Sequence, residues 1–143
     1  GRDYEQIKGI GLTNEEGIDL QNSFIIKYKD KLASLSSAIG QRMNNRVYIE
    51  GTDGRIFIDG DFWRPKRAVL TKGVKDVLVY SDDKEVFEDN YESSGFQYEA
   101  AHVTECIEKG LTESPVMSLD ESIDVAKAMD KLRKDMGVVY KED

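Results

Sequence analysis

The sequence predicts an α+β domain: an open, mostly antiparallel sheet with helices gathered on one face. Three observations carry that expectation. Apolar residues alternate at period two through the first two-thirds of the chain. Short polar turns punctuate the alternation. In the last third the period shifts to steps of three and four.

Tyr4 to Leu12 opens the strand series. In the next run Ile18, Leu20, Phe24, Ile26 and Tyr28 alternate with Asp19, Gln21, Ser23, Ile25 and Lys27, so one face is much the more apolar. Lys29-Asp30-Lys31 is short and polar, which folds Leu32–Ile39 back as a hairpin partner. Arg46–Glu50 and Arg55–Asp59 form another hairpin around Gly51-Thr52-Asp53-Gly54, where Asp-Gly is suited to the positive φ of a tight turn. Ala68–Thr71 and Val74–Tyr80 continue the series, and Ser81-Asp82-Asp83-Lys84 turns the chain into a short strand around Val86-Phe87.

After Ser93-Ser94-Gly95, a helix is expected over Phe96–Lys109, with Val103, Cys106 and Ile107 on one stripe and Gly110 as its stop. Ser118-Leu119-Asp120-Glu121 has the form of a capping box. The helix it opens carries Leu119, Ile123, Ala126, Met129, Leu132 and Met136 at three- and four-residue steps, and Gly137 ends it. No internal repeat or boundary interrupts the chain, so residues 1–143 read as a single domain.

Two helices cover only one face of a sheet of six or more strands. The other face would hold Gln21, Ser23, Ile25, Ser34, Ser36, Ala38, Tyr48 and Phe57. That set is too apolar for a fully wet surface, and such faces mark interfaces. A partner is expected there, either another domain or another subunit.

Composition narrows the function classes. The chain has 143 residues and a net charge of −8, and its Lys and Arg are scattered among acids. That is no footprint for nucleic acid. No apolar run approaches the roughly 20 residues that cross a bilayer. Cys106 is the single cysteine and His102 the single histidine, which excludes an internal disulfide, a Cys-based zinc site and a histidine-rich metal site. A cytoplasmic setting is expected. The first residues include no initiator Met, so a piece of a longer protein is also expected.

Few motifs carry chemistry. Gly9-Ile10-Gly11 begins like a dinucleotide fingerprint, but Asn14 stands where the third Gly or Ala belongs and no helix follows. Glu99 and His102 are three apart on a helix and read as a surface or packing pair. Cys106 reads as a small core hydrophobe beside Glu105 and Glu108. Acids around Asp82-Asp83 lack calcium-loop spacing. Phe62-Trp63-Arg64-Pro65 stands out: Trp63, the only tryptophan, either caps the core or lines a pocket for a ring or sugar face. Tyr91 and Phe96, bracketing the Ser-Ser-Gly turn, are similar candidates.

Five stretches, in order, resemble the C-terminal domain of the glucose–fructose oxidoreductase/inositol dehydrogenase (Gfo/Idh/MocA) family. They are Gly17-Ile18-Asp19-Leu20-Gln21-Asn22, Gly51-Thr52-Asp53-Gly54-Arg55-Ile56, Phe62-Trp63-Arg64-Pro65, Gly95-Phe96-Gln97-Tyr98-Glu99-Ala100, and the series from Glu113-Ser114-Pro115 to Gly137. The pattern is most similar to the trans-1,2-dihydrodiol and D-xylose dehydrogenase branch. The resemblance implies a glyceraldehyde-3-phosphate dehydrogenase-like C-terminal domain whose open sheet face often pairs subunits, so a homo-oligomer is expected. It implies an N-terminal Rossmann domain, absent here, that binds NAD or NADP, and a small-molecule sugar, polyol or diol substrate. The family's Glu-Lys-Pro lysine and its Asp-x-x-x-His acid/base residue have no match in this chain, and His102 does not inherit the latter role. No catalytic residue, cofactor site or metal site is therefore expected within it. Trp63 matches the Phe-Trp-x-Pro aromatic, and Tyr91 lies near a further family aromatic. The competing reading is a stand-alone assembly module that self-associates through the open sheet face.

Overall fold

The computed structural model describes residues 3–76, 79–90 and 94–140. The element order is β1 (Gln6–Thr13), β2 (Asp19–Lys27), β3 (Leu32–Ala38), β4 (Val47–Gly51), β5 (Gly54–Asp59), β6 (Arg67–Lys72), β7 (Val74–Asp76), β8 (Val79–Tyr80), β9 (Lys84–Glu88), α1 (Phe96–Glu108) and α2 (Leu119–Met136). All described strand pairs are antiparallel. The architecture is α+β with open antiparallel sheets, as the periodicity predicts. The strands are partitioned into sheets ordered β1-β2-β3, β4-β5-β6-β9 and β7-β8, in place of one sheet of six or more. Val74–Tyr80 is expected as one strand but contains β7 and β8, which pair with each other.

The chain divides into two compact units, residues 1–43 with 106–143, and residues 44–105. In the first unit, Asn14 closes the β1–β2 connection by accepting the Ile18 and Glu16 amides on its side-chain oxygen, at 2.8 and 3.1 Å. Register pairs Ile7 with Ile26, Gly9 with Phe24 and Gly11 with Asn22. Phe24 in turn pairs with Leu35 and Ile26 with Ala33. Alternation therefore puts odd residues of β1, even residues of β2 and odd residues of β3 on one face.

Helix α2 packs on that face, over β1. A Cβ built on Gly9 would stand 2.9 Å from Leu132 Cδ2, and one on Gly11 would stand 2.9 Å from Met136 Sδ. Here lies the physical meaning of Gly9-Ile10-Gly11: the missing side chains let the C-terminal half of α2 lie against the strand backbone. Ile7 and Leu132 are buried in this contact. The approach also fixes the rotation of α2. Leu132, Met136 and Ala128 turn inward, while Leu119 and Ile123 of the expected stripe are exposed.

Both ends of α2 are closed. Ser118 Oγ accepts the Glu121 amide at 3.2 Å, as the capping motif predicts. The carboxylate serving the first turn is Glu113, which accepts the Leu119 amide at 2.8 Å. Gly137 adopts φ 72°, and Val138 N–H returns to Arg133 O at 2.9 Å, with Val138 buried. On α1, Cys106 is buried, whereas Val103 and Ile107 are exposed, so only part of the expected stripe packs.

The opposite face of β1-β2-β3 carries Gln21, Ser23, Ile25, Ser34, Ser36 and Ala38, as expected, together with Ile10 and Leu12. Ile10 is 78% exposed. Ser23 and Ser36 hydroxyls meet across the strands at 2.9 Å. Tyr48 and Phe57 belong to the other sheet, where they pair and stack with ring centroids 4.8 Å apart.

In the second unit, β4 and β5 meet through a two-residue turn whose central residues are Thr52 and Asp53. The expected Asp-Gly centre is shifted by one residue. Gly54 starts β5 with φ 147°, and a Cβ there would lie 2.2 Å from Thr71 O, so the close approach of β6 requires this glycine. Thr71 is the most fully buried of the described side chains.

Candidate functional site

The candidate site is the corner between β5 and β6 in the second unit. Register leaves β5 at Asp59 opposite Arg67 on β6, so residues 60–66 form the connection. Two acids build it. Asp59 accepts Arg46 Nε at 2.9 Å and the Gly60 amide at 3.0 Å. Asp61, mostly buried, accepts Asn45 Nδ2 at 3.2 Å, and Arg64 Nη2 lies 3.5 Å from its other oxygen. Backbone bonds complete the corner: Phe62 N–H to Asn45 O at 3.1 Å, and Arg64 N–H to Asp61 O at 2.9 Å.

These bonds hold the backbone and leave the aromatics outside. Trp63 is 59% exposed and meets Phe62 edge-on, with centroids 5.3 Å apart and planes at 81°. Of the two sequence alternatives, capping a core is not what this side chain does. Its open face suits stacking on an apolar or sugar-like ring, and the adjacent Arg64 guanidinium offers hydrogen-bond donors. The two acids are engaged by arginine, asparagine and backbone amides.

Phe96 is the first residue of α1 and is 73% exposed. Among the described residues no ring contact joins it to Trp63. Tyr91 lies outside the described residues. The Glu99–His102 pairing anticipated from sequence is replaced by His102 Nδ1 facing Glu105 Oε2 at 4.0 Å, also at i,i+3. Asp61 and Asn45 were not legible as site-builders. The only signal is the placement of Asp61 directly ahead of the aromatic pair.

Among the described residues no group of three or more His, Cys, Asp or Glu side chains is placed to hold a metal ion. No described helix is long and apolar enough to cross a membrane.

Comparison with known proteins supplies what the corner alone does not. The trans-1,2-dihydrobenzene-1,2-diol dehydrogenase of Xenopus tropicalis is 36% identical over 141 residues, 98% of this chain and 42% of that protein. The proteins of the same name from Sus scrofa and Homo sapiens are 34% and 31% identical, and each match covers 100% of this chain. The chain is homologous to these dehydrogenases along its length. It spans well under half of the relatives it matches, 42% of the human protein and 43% of the porcine one. No protein-family profile matches the chain.

Proposed function

We propose that this chain is the C-terminal, substrate-side part of a two-domain NAD(P)-dependent oxidoreductase of the Gfo/Idh/MocA type. The intact enzyme moves a hydride between nicotinamide and a hydroxyl-bearing carbon of a sugar, polyol or diol. One observation carries the reading: near-complete coverage of this chain at 31–36% identity by proteins named as diol dehydrogenases, of which it forms less than half. The corner fits the assignment, because it offers exposed aromatic contact surface. Trp63 packs against the substrate, with Phe96 and Tyr91 as further candidates. Nicotinamide, lysine and acid/base chemistry belong to the remainder of the enzyme.

The face bearing Ile10, Leu12 and Ile25 suits self-association, which makes a homo-oligomer the expected assembly. The same face supports the second reading, a stand-alone assembly module. The two separate in one experiment. The full-length protein should reduce NAD(P) with a diol or sugar, while the 143-residue chain neither turns over substrate nor binds NAD(H). Micromolar NADH binding by the chain alone, followed by fluorescence, overturns the division of labour. A full-length protein without nicotinamide-dependent activity favours the assembly module.

A further inference from the structure

Arg64-Pro65-Lys66-Arg67, at the exit of the corner, sets three cations in four positions of a chain whose net charge is −8. All four residues are exposed. What opposes each cation tells them apart. Arg46, just ahead of β4, is bound through Nε to Asp59 at 2.9 Å. Arg67 is opposite Glu88 on β9, with its Nε 3.5 Å from that carboxylate. Lys66 stands across from Asp89, whose amide bonds to Lys66 O at 3.0 Å. Arg64 lies ahead of β6, outside this ladder, and the acid beside it is the corner's own Asp61.

Asp61 does not saturate that guanidinium. The Asp61 side chain is 17% exposed and already accepts Asn45 Nδ2, whereas the Arg64 side chain is 52% exposed. Their approach of 3.5 Å is well outside the roughly 2.7–2.9 Å of a strong charge-assisted bond. A guanidinium carries several N–H donors in a planar fork, and this contact engages one nitrogen. The fork starts from a pinned turn, because Arg64 N–H returns to Asp61 O at 2.9 Å. Its Cα follows that of Trp63 by about 3.8 Å, so the rim of a ring lying on the exposed indole is within the span of the Arg64 side chain. The neutral amide suited to a hydroxyl, Asn45, and the carboxylate Asp61 are turned to structural bonds. What the corner offers outward beside its aromatics is a fork matched to a carboxylate or phosphate. The net negative field of the chain makes such a local cation the requirement for holding an anion here.

We infer that Arg64 determines specificity, and that the substrate of the full-length enzyme is a sugar or polyol bearing a carboxylate or phosphate, held by Arg64 while its carbon frame lies on Trp63. The inference rests on the proposed oxidoreductase reading and narrows its substrate class.

Steady-state kinetics of the full-length protein test it. NAD and NADP are each offered, with D-glucose, D-glucuronate, D-glucose 6-phosphate and the neutral cyclohexane-1,2-diol as substrates. At low ionic strength kcat/KM for one of the anions should exceed that for glucose by about 10- to 100-fold. Preference for glucuronate assigns the carboxylate, and preference for the phosphate ester assigns the phosphate. Arg64→Met should bring the ratio of anion to glucose close to one, chiefly by raising KM for the anion. Arg64→Lys keeps the charge without the fork and should retain part of the ratio. A merely structural arginine would lower every kcat/KM together and leave the ratio in place. That result overturns the inference, and so does a parent enzyme that turns over glucose or the diol as well as either anion. In the latter case turnover of the neutral substrates leaves the oxidoreductase reading standing. Absence of nicotinamide-dependent turnover with all four substrates overturns that reading too.

Discussion

Replacing Gly9 with alanine tests the contact on which the first unit is organised. The added Cβ would lie 2.9 Å from Leu132 Cδ2 and 3.2 Å from Phe24 Cβ. The first neighbour ends a flexible side chain, but the second is fixed to the paired strand. Overpacking of this kind costs about 1–3 kcal/mol, while alanine restricts the unfolded chain and returns about 0.4–1 kcal/mol. The net expectation is a loss of about 1–2 kcal/mol. Leu132→Ala alone should cost about 3 kcal/mol, since Leu132 is buried against β1. The double variant is the decisive measurement. Shortening Leu132 removes the atom that the new methyl group on β1 meets, so the two losses should fall short of additivity by about 1 kcal/mol or more. Urea unfolding followed by circular dichroism gives all four midpoints, with an unchanged slope as the check on two-state behaviour. Strict additivity would refute the claim that α2 docks through Gly9.

Three further outcomes follow from the same geometry. In the full-length enzyme, Trp63→Ala should raise KM for the diol or sugar and leave the thermal midpoint nearly unchanged, because the ring is largely exposed; unchanged kinetics would remove Trp63 from the substrate side. Glu113→Gln should weaken the start of α2, and Ser118→Ala should cost about 1 kcal/mol in urea midpoint, the usual loss of an N-cap; equal stability of both variants and the parent would refute the caps. Lys72 is held above its ordinary 10.5 by its hydrogen bond to Glu85 and by that carboxylate's charge. A raised folded value means that the pair contributes fully below the ordinary lysine range and is lost as pH climbs through the folded value. Lys72→Met should therefore flatten the alkaline part of the stability profile above about pH 10.4 and leave its shape near neutrality unchanged; a parallel profile would exclude the pair.

Where two-residue alternation met short polar turns, the sequence was legible strand by strand. The β1-β2-β3 register follows from it directly: Ile26 and Phe24 share a face because they are two apart, and Lys29-Asp30-Lys31 leaves only one way back. The partition into separate sheets was not legible, because strand patterning says which face is apolar and nothing of which edges pair. The rotation of α2 was hidden for a different reason. Its apolar residues spread over much of the helix, and periodicity alone gave Leu119 and Ile123 the same standing as Leu132. Two glycines on a strand far away in sequence decided between them by admitting Leu132 and Met136. Such tertiary selection leaves no trace in the helix itself.

The same glycines show why a motif has meaning only in its setting. Gly9-Ile10-Gly11 fails as a nucleotide fingerprint because no helix follows and Asn14 interrupts the spacing. That failure leaves open what the glycines are for. The structure supplies the answer in van der Waals terms: glycine at each position keeps a side chain out of the space that α2 fills. Ile10 between them points to the other face and stands exposed. One tripeptide thus serves both sides of the sheet, bare backbone toward the helix and an aliphatic side chain toward the proposed self-association face. A substitution that harms helix docking, Gly9→Ala, should leave self-association intact in a sedimentation experiment at a concentration where the protein stays folded. Ile10→Lys should do the reverse, dispersing the oligomer without loss of stability. If both substitutions dispersed the oligomer equally, the two faces would not be independent. The division of the sheet into a docking side and an assembly side would then have to be abandoned.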